Sequence, residues 1–177
     1  MKKYLSLLVI AVFLIIGVPS LLAQEENSPN KLFYAEFGGP GIIMSANLDS
    51  RFKSNTRVGL GFRIGAGFGL RSFNDGKNGE ELLRTVYAFP AGVNYVFGKP
   101  NMRSSFEVGA GASVLSRKTS FYDYGIKKEG NMIGFLTFMY RVTPVNGGMS
   151  FRIGFTPIIG TAGDLFPMGA IGFGYAF

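Results

Sequence analysis

The sequence predicts an all-β protein, an eight-stranded antiparallel up-and-down transmembrane β-barrel preceded by a cleaved signal peptide. Three observations predict it. Strand-like segments separated by turns fill most of the 177 residues, no segment shows a helical period, and large apolar residues alternate with glycine, alanine or charged residues. A period of two places alternate side chains on opposite faces of a strand. The predicted sheet therefore has one apolar face and one face of small and charged groups.

The first residues predict a segment that is removed before the protein folds. Two lysines precede an almost wholly apolar run, and the small residue Ala23 follows a proline near its end. This order is typical of a secretory signal peptide. The apolar run is short for a spanning helix, which needs about 20 residues. We expect residues 1–23 to be cleaved and residues 24–177 to form one outer-membrane barrel domain.

The composition excludes several classes of function. The chain has no Cys and no His, so a Cys/His metal site and a histidine general base are both absent. We therefore predict no catalytic residue, no metal and no cofactor. The net charge of +7 is scattered along the chain, which argues against nucleic acid as a partner. Without disulfides the domain needs another source of stability, and a sheet closed in a bilayer pairs every backbone group.

Eight strands are predicted from the alternation and the turns between them. Their expected bounds are Leu32–Gly38, Ile42–Arg51, Arg57–Leu70, Thr85–Gly98, Ser104–Arg117, Asn131–Val142, Met149–Ile159 and Met168–Phe177. Short turns alternate with longer polar loops, and a tight turn at Gly39–Gly41 is the exception. Outer-membrane barrels keep their short turns and both termini on the periplasmic side. We expect the same arrangement here.

Charged side chains give a sharper test of the predicted faces. When the register of each strand is chosen from its apolar residues alone, the strand charges all fall on the opposite face. An Arg or Lys that faced lipid near the midplane would cost about 2–4 kcal/mol. We therefore expect an interior polar network formed by Glu36, Asp49, Arg51, Arg57, Arg63, Asn94, Glu107, Arg141 and Arg152.

Two features fit this pattern less well. The sixth strand is apolar on both faces, with Ile133 and Phe135 on one side and Leu136 and Phe138 on the other. Proline also occurs within the fourth and seventh predicted strands. Because proline cannot donate a ladder hydrogen bond, each of these strands needs a bulge or a local break.

Alternation alone does not say which face is inside. A soluble lipocalin-like barrel would turn its apolar face inward and coat its outside with polar side chains. The non-aromatic face of this chain is instead mostly Gly, Ala and Ser with a few charges. An eight-stranded barrel has an interior just wide enough for side chains, and such a face suits it. The membrane barrel is therefore favoured, and the lipocalin-like barrel is a weaker alternative.

Aromatic residues cluster where strands begin or end. Those expected to form a girdle at the periplasmic boundary are Tyr95, Phe97, Phe106, Tyr140 and Phe151. The last strand carries Phe173, Tyr175 and Phe177 on one face, and the sequence ends on the aromatic residue.

Several segments resemble the small outer-membrane β-barrel proteins of Gram-negative bacteria. They are Ala35–Gly41, Pro90–Gly98, Phe106–Ala112, Phe151–Pro157 and Gly172–Phe177. The resemblance implies a location in the cell outer membrane among its lipids. It also implies insertion by the barrel assembly machinery, which reads a C-terminal aromatic strand, so that Phe173, Tyr175 and Phe177 form the insertion signal. Most such relatives have no assigned activity.

The leading functional hypothesis is a non-enzymatic outer-membrane barrel with a plugged polar interior and an envelope-structural or loop-mediated binding role. The alternative is a narrow pore for small solutes, and a lipid-modifying barrel enzyme is a weaker one. Cations in the predicted outer loops, such as Arg84 and Lys118, suit contacts with lipopolysaccharide phosphates. Simple solvation of a polar loop explains the same residues. The extracellular ligand is left open.

Overall fold

The computed structural model describes residues 28–74, 81–119, 130–160 and 163–177. The predicted signal peptide, residues 1–23, lies outside the described residues. Within the described ranges, no helix is long and apolar enough to cross a membrane.

Strands dominate the described chain. They are β1 (Lys31–Gly38), β2 (Met44–Arg51), β3 (Gly59–Asn74), β4 (Glu81–Phe97), β5 (Ser104–Thr119), β6 (Gly130–Val142), β7 (Gly148–Phe155), β8 (Ile158–Ile159), β9 (Leu165–Phe166) and β10 (Gly169–Ala176). The short β8 and β9 continue β7 and β10, so the sheet has eight long strands. Neighbours in sequence pair antiparallel, β1 pairs with β10, and β5 pairs with β6 to complete the ring. The predicted closed eight-stranded antiparallel barrel is confirmed.

The first and last strands close the barrel. β1 pairs with β10 from Leu32 opposite Ala176 to Gly38 opposite Ala170. The backbones of Lys31 and Phe177 exchange two hydrogen bonds, of 3.1 and 3.0 Å. Both ends of the described chain therefore lie at one end of the barrel, which we call the terminal end. The opposite end is called the far end.

Both strand prolines interrupt a ladder without changing its register, which confirms the expected local break. β3 pairs with β4 through Ile64 opposite Ala91 and Gly67 opposite Ala88, and the two positions between them are skipped. Pro157 separates β7 from β8, yet both segments keep one register against β6. The backbone carbonyl of Pro157 still forms a hydrogen bond to β6, because the amide of Leu136 donates to it at 3.0 Å.

Several predicted boundaries were wrong by a few residues. β3 and β4 pair as far as Asn74 opposite Glu81, well into the stretch predicted as a loop. Backbone pairing in a hairpin does not require apolar alternation, so the strands continue beyond it. Two strands begin two residues later than predicted. β2 begins at Met44 rather than Ile42, and β3 begins at Gly59 rather than Arg57.

A continuous belt of apolar side chains covers the outside of the barrel. Its members lie on the outward face of the long strands and each is at least 41% exposed: Phe33, Phe37, Leu60, Ile64, Phe68, Leu70, Tyr87, Phe89, Val93, Tyr95, Phe97, Phe106, Val114, Phe138, Tyr140, Ile153, Phe155, Ile171, Phe173 and Tyr175. Soluble monomers rarely expose apolar patches larger than a few hundred Å². The belt is the surface that a transmembrane barrel presents to lipid.

The belt predicts a sharp dependence on position for new charges. Ile64 and Met102 are both 49% exposed, but Ile64 lies within the belt and Met102 in the turn between β4 and β5. Ile64→Arg should lower the free energy of unfolding from a bilayer by about 2–4 kcal/mol. Met102→Arg should change it by less than about 0.5 kcal/mol. Urea unfolding from lipid vesicles measures both, and equal effects would show that Ile64 does not face lipid.

Candidate functional site: the barrel lumen

The charged side chains inside the barrel form one continuous series of ion pairs. Arginines and carboxylates alternate along it in the order Arg51, Asp49, Arg141, Glu107, Arg152, Glu36 and Arg63. The closest contacts are 2.6 Å, between Arg51 Nη2 and Asp49 Oδ1 and between Arg141 Nη2 and Glu107 Oε2. Every member is nearly inaccessible to solvent. Burial of a charge is tolerated only with such pairing.

The series ties most of the barrel together across the lumen. Its members come from β1, β2, β3, β5, β6 and β7. Asn94 adds β4, because its side-chain amide donates to Asp49 Oδ2 and, at 2.8 Å, to Glu107 Oε1. The carbonyl oxygen of the same amide accepts from Arg51 at 2.6 Å. Seven of the eight long strands therefore contribute a polar side chain to one connected network.

β10 contributes space rather than a polar group. A Cβ placed on Gly172 would lie 2.6 Å from Arg152 Cγ. Gly172 is opposite Arg152 in the pairing of β10 with β7. A side chain at this position would collide with the stem of the arginine, so glycine allows Arg152 to lie flat against β10 and reach both carboxylates.

Two buried aromatic rings contact the arginines of the charged network. The Arg152 guanidinium lies 4.3 Å from the centre of the Tyr34 ring. The Arg63 guanidinium lies 5.4 Å from the centre of the Phe135 ring. Cations at these distances are attracted by the ring face. Phe135 also belongs to an apolar cluster nearer the far end, whereas Tyr34 packs with Leu32 and Ala176 toward the terminal end.

The lumen nearer the far end is filled by apolar side chains. Seven buried residues pack together there: Ile42, Val86, Ala88, Leu115, Ile133, Phe135 and Ile158. Phe166 and Met168 pack against them. The predicted polar interior is therefore correct for only part of the lumen. The two apolar faces of β6 are explained, because one faces the outside and the other faces this cluster.

The turn between β1 and β2 folds into the lumen and completes the apolar cluster. The predicted tight turn at Gly39–Gly41 is a short 3₁₀ turn whose residues are all buried. Its position is held by Ser113, whose hydroxyl donates to the Pro40 carbonyl at 2.9 Å. A Cβ on Gly69 would come within 2.3 Å of Ile42 Cγ2, so β3 makes room for the side chain of the turn.

Ile42 adopts a backbone conformation that β-branched residues avoid. Its φ is +77°, in a region that costs an ordinary side chain about 1–3 kcal/mol. Alternation continued from the buried Ser45 would place Ile43 inside and Ile42 outside, but Ile43 is exposed and Ile42 is buried. The positive φ reverses that direction and turns the side chain into the lumen. Packing in the apolar cluster holds the turn in this conformation.

Arg57 is the lumenal arginine that the described residues leave without a carboxylate. It precedes β3 and crosses the terminal end of the barrel. Its Nη1 donates to the Thr143 carbonyl, and its Nε donates to the Pro100 carbonyl at 3.1 Å. Arg57 thus links three turns at this end. Burial lowers the pKa of its guanidinium, although an arginine stays charged at neutral pH.

The structure brings eight of the nine polar residues proposed from the sequence into one network, and places Arg57 beside it. Sequence reasoning missed Tyr34, Phe135 and Ile42. Tyr34 lies on the same face of β1 as Glu36, and Phe135 lies on the same face of β6 as Arg141. The period of two could therefore have placed both aromatic side chains in the lumen. Nothing in the alternation indicates the inward turn at Ile42.

The aromatic residues proposed for a girdle all point outward near the terminal end. Phe106 pairs with Phe97 on one side and with Tyr140 on the other. The Tyr95 and Phe97 rings lie 4.5 Å apart. The Phe151 ring lies 5.1 Å from that of Phe173. The Tyr95–Phe97 contact lies within β4, whereas the pairs of Phe106 and the Phe151–Phe173 contact join neighbouring strands around the rim.

The ion-pair series predicts that removal of one central carboxylate strongly destabilises the folded barrel. Glu107 accepts from Arg141, Arg152 and Asn94. Glu107→Gln keeps the shape and leaves two buried cations with one fewer counter-charge, so the free energy of unfolding should fall by about 3–5 kcal/mol. The exposed Asp164 provides the control, and Asp164→Asn should change it by less than about 0.5 kcal/mol. A similar small effect for both variants in urea unfolding would contradict a tightly coupled network.

Comparisons with known proteins support the fold. No protein-family model and no curated protein sequence matches the chain. Among solved structures, the chain is similar to the N-terminal β-barrel domain of Pseudomonas aeruginosa OprF, with a TM-score of 0.51 and 12% sequence identity, over 85% of this chain and 98% of that one. It also matches Ail, the attachment invasion locus protein of Yersinia pestis, solved with the heparin analogue sucrose octasulfate, with a TM-score of 0.43 and 15% identity, over 85% and 97% of the two chains. The similarity to the OprF domain shows a shared eight-stranded barrel fold.

Proposed function

We propose that this chain is a non-enzymatic integral outer-membrane protein whose barrel is closed to solutes and serves the envelope as a structural or loop-presenting element. The observation that carries the proposal is the filled lumen. A charged network occupies one part of it and an apolar cluster occupies another, in series along the barrel axis. A hydrated ion would have to pass both.

The location rests on the outward apolar belt and on the inward charges. The belt matches a bilayer, and the fold shared with the OprF barrel domain is that of a bacterial outer-membrane protein. In this orientation the terminal end faces the periplasm and its aromatic rim lies at the membrane interface. Phe173, Tyr175 and Phe177 would then form the signal for insertion by the barrel assembly machinery.

Several observations favour a non-catalytic role. The chain contains no Cys and no His. The three lumenal carboxylates are each engaged by two arginines. A carboxylate held in this way is a poor general base, because its charge is already stabilised by ion pairs. The structure therefore favours a structural role for these acids over the lipid-modifying enzyme considered as an alternative.

The far end of the barrel offers a second element of the proposal. Arg84, Arg117 and Lys118 are exposed there, beyond the apolar belt. Cations just beyond the apolar belt are placed to bind lipopolysaccharide phosphates. If they bind this lipid, the purified wild type should retain more lipopolysaccharide than the Arg117→Gln/Lys118→Gln variant, and equal retention would leave these cations simply solvated.

Single-channel recording in planar bilayers tests the closed barrel. The purified protein should show no reproducible conductance step, because the charged network and the apolar cluster fill its lumen at two successive levels. A 16-stranded porin, which leaves an aqueous channel, serves as the positive control in the same bilayers. A reproducible step from the wild-type protein would overturn the proposal and favour the narrow pore.

A further inference from the structure

We propose that the terminal end of the barrel carries a binding site for a small oxyanion, centred on Arg57. The site goes beyond the closed-barrel function proposed above. Its ligand would present a phosphate or carboxylate group to a pocket at the mouth of the lumen.

The first observation is an unbalanced charge. Five buried arginines face three buried carboxylates in the described lumen. The ion-pair series uses four of the arginines and all three acids. Arg57 is bonded through two of its nitrogens to backbone carbonyls, which satisfy hydrogen bonds but do not neutralise charge. A buried cation that lacks a counter-ion favours the approach of an anion.

The second observation is an unused donor on the same residue. Arg57 is 8% exposed, and its Nη2 has no hydrogen-bond partner among the described residues. A buried donor without a partner costs about 1–3 kcal/mol, more for a charged group. An oxygen of a bound oxyanion would satisfy both the hydrogen bond and the charge.

The third observation is a pocket built around this side chain. Its walls come from the start of β1, from the ends of strands at the same rim and from the adjoining turns, and it is lined by Pro29, Asn30, Lys31, Leu32, Asp49, Arg51, Arg57, Ser105, Arg141, Thr143 and Ala176. Three buried arginines therefore line it, whereas Lys31 is exposed and shares the outward face of β1 with Phe33. The Nε atoms of Arg51 and Arg141 also have no partner among the described residues.

The one acid in the pocket does not oppose an anion strongly. Asp49 is bonded to Arg51 at 2.6 Å and to Arg141 at 3.2 Å. Asn94 also donates to it. Its negative charge is thus compensated by two arginines, and the excess positive charge of the pocket comes from Arg57. The pocket has a volume of only about 10 Å³, room for about one water-sized group, so a compact oxyanion would place a single oxygen in it and keep the rest at the open mouth.

The nature of the ligand follows from the donors. A guanidinium N–H group donates well to the oxygens of phosphate and carboxylate, and Nη2 is the nitrogen of Arg57 that is left for such an oxygen. Chloride has neither the shape nor several acceptor atoms. The site should therefore prefer phosphate or acetate over chloride at equal ionic strength, and comparison of the first two identifies the group that it takes.

The test is a titration of the full mature protein in detergent micelles with inorganic phosphate, acetate or chloride, at constant ionic strength. Binding is followed by NMR through the side-chain N–H signals of the arginines. We expect saturable shifts with phosphate or acetate, and a Kd that rises about ten-fold in Arg57→Gln. Arg57→Lys, which keeps the charge but cannot bond both carbonyls and still present Nη2, should also weaken binding.

Arg103→Gln is the matched control. It removes an exposed cation from the same rim, and Arg103 does not line the pocket. Its Kd should stay within about two-fold of the wild type, because exposed charges are screened. An equal weakening of binding in Arg103→Gln, or identical shifts with chloride, would show that the shifts reflect general ionic screening. Either result would overturn the proposed site. Failure of this test leaves the conductance result unaffected, so the two proposals fail independently.

Discussion

Pairing of buried charge is the constraint on which this barrel depends. Charged side chains on the inner strand faces lie in a space too narrow for bulk water, and each must find a partner there. The alternating series from Arg51 to Arg63 meets that requirement by joining residues from six strands. Any slip of register by one residue would turn its charges toward lipid. The network therefore favours one register among those that the strands could adopt.

The apolar part of the lumen solves a different problem. Charged side chains need partners, but the far end is filled by groups that need none, and close packing is sufficient there. The turn containing Ile42 provides that packing at the cost of a strained backbone. This division explains why one chain contains a strand with two apolar faces beside strands with a single one. The charged network and the apolar cluster therefore block the lumen at two successive positions along the barrel axis.

Much of this architecture could be predicted from the sequence because the period of two is a property of every strand. Alternation placed Glu36, Asp49 and Arg152 inside, and the structure has them there. The inward turn at Ile42 could not be predicted, since it depends on a positive φ that no local pattern signals for isoleucine. The lengths of β3 and β4 were also underestimated, because backbone pairing continues where side-chain alternation ends. Contacts such as Arg57 with the Pro100 and Thr143 carbonyls join turns far apart in sequence, and they arise only when the barrel closes.

The central claim is that isoleucines outside the barrel contact lipid while those inside do not. Methyl-labelled protein in lipid nanodiscs tests it by nuclear Overhauser effects to the lipid acyl chains. The account predicts strong effects at Ile64, Ile153 and Ile171, which are exposed, and none at Ile42, Ile133 and Ile158, which are buried. Lipid contacts at the second group, with none at the first, would contradict it.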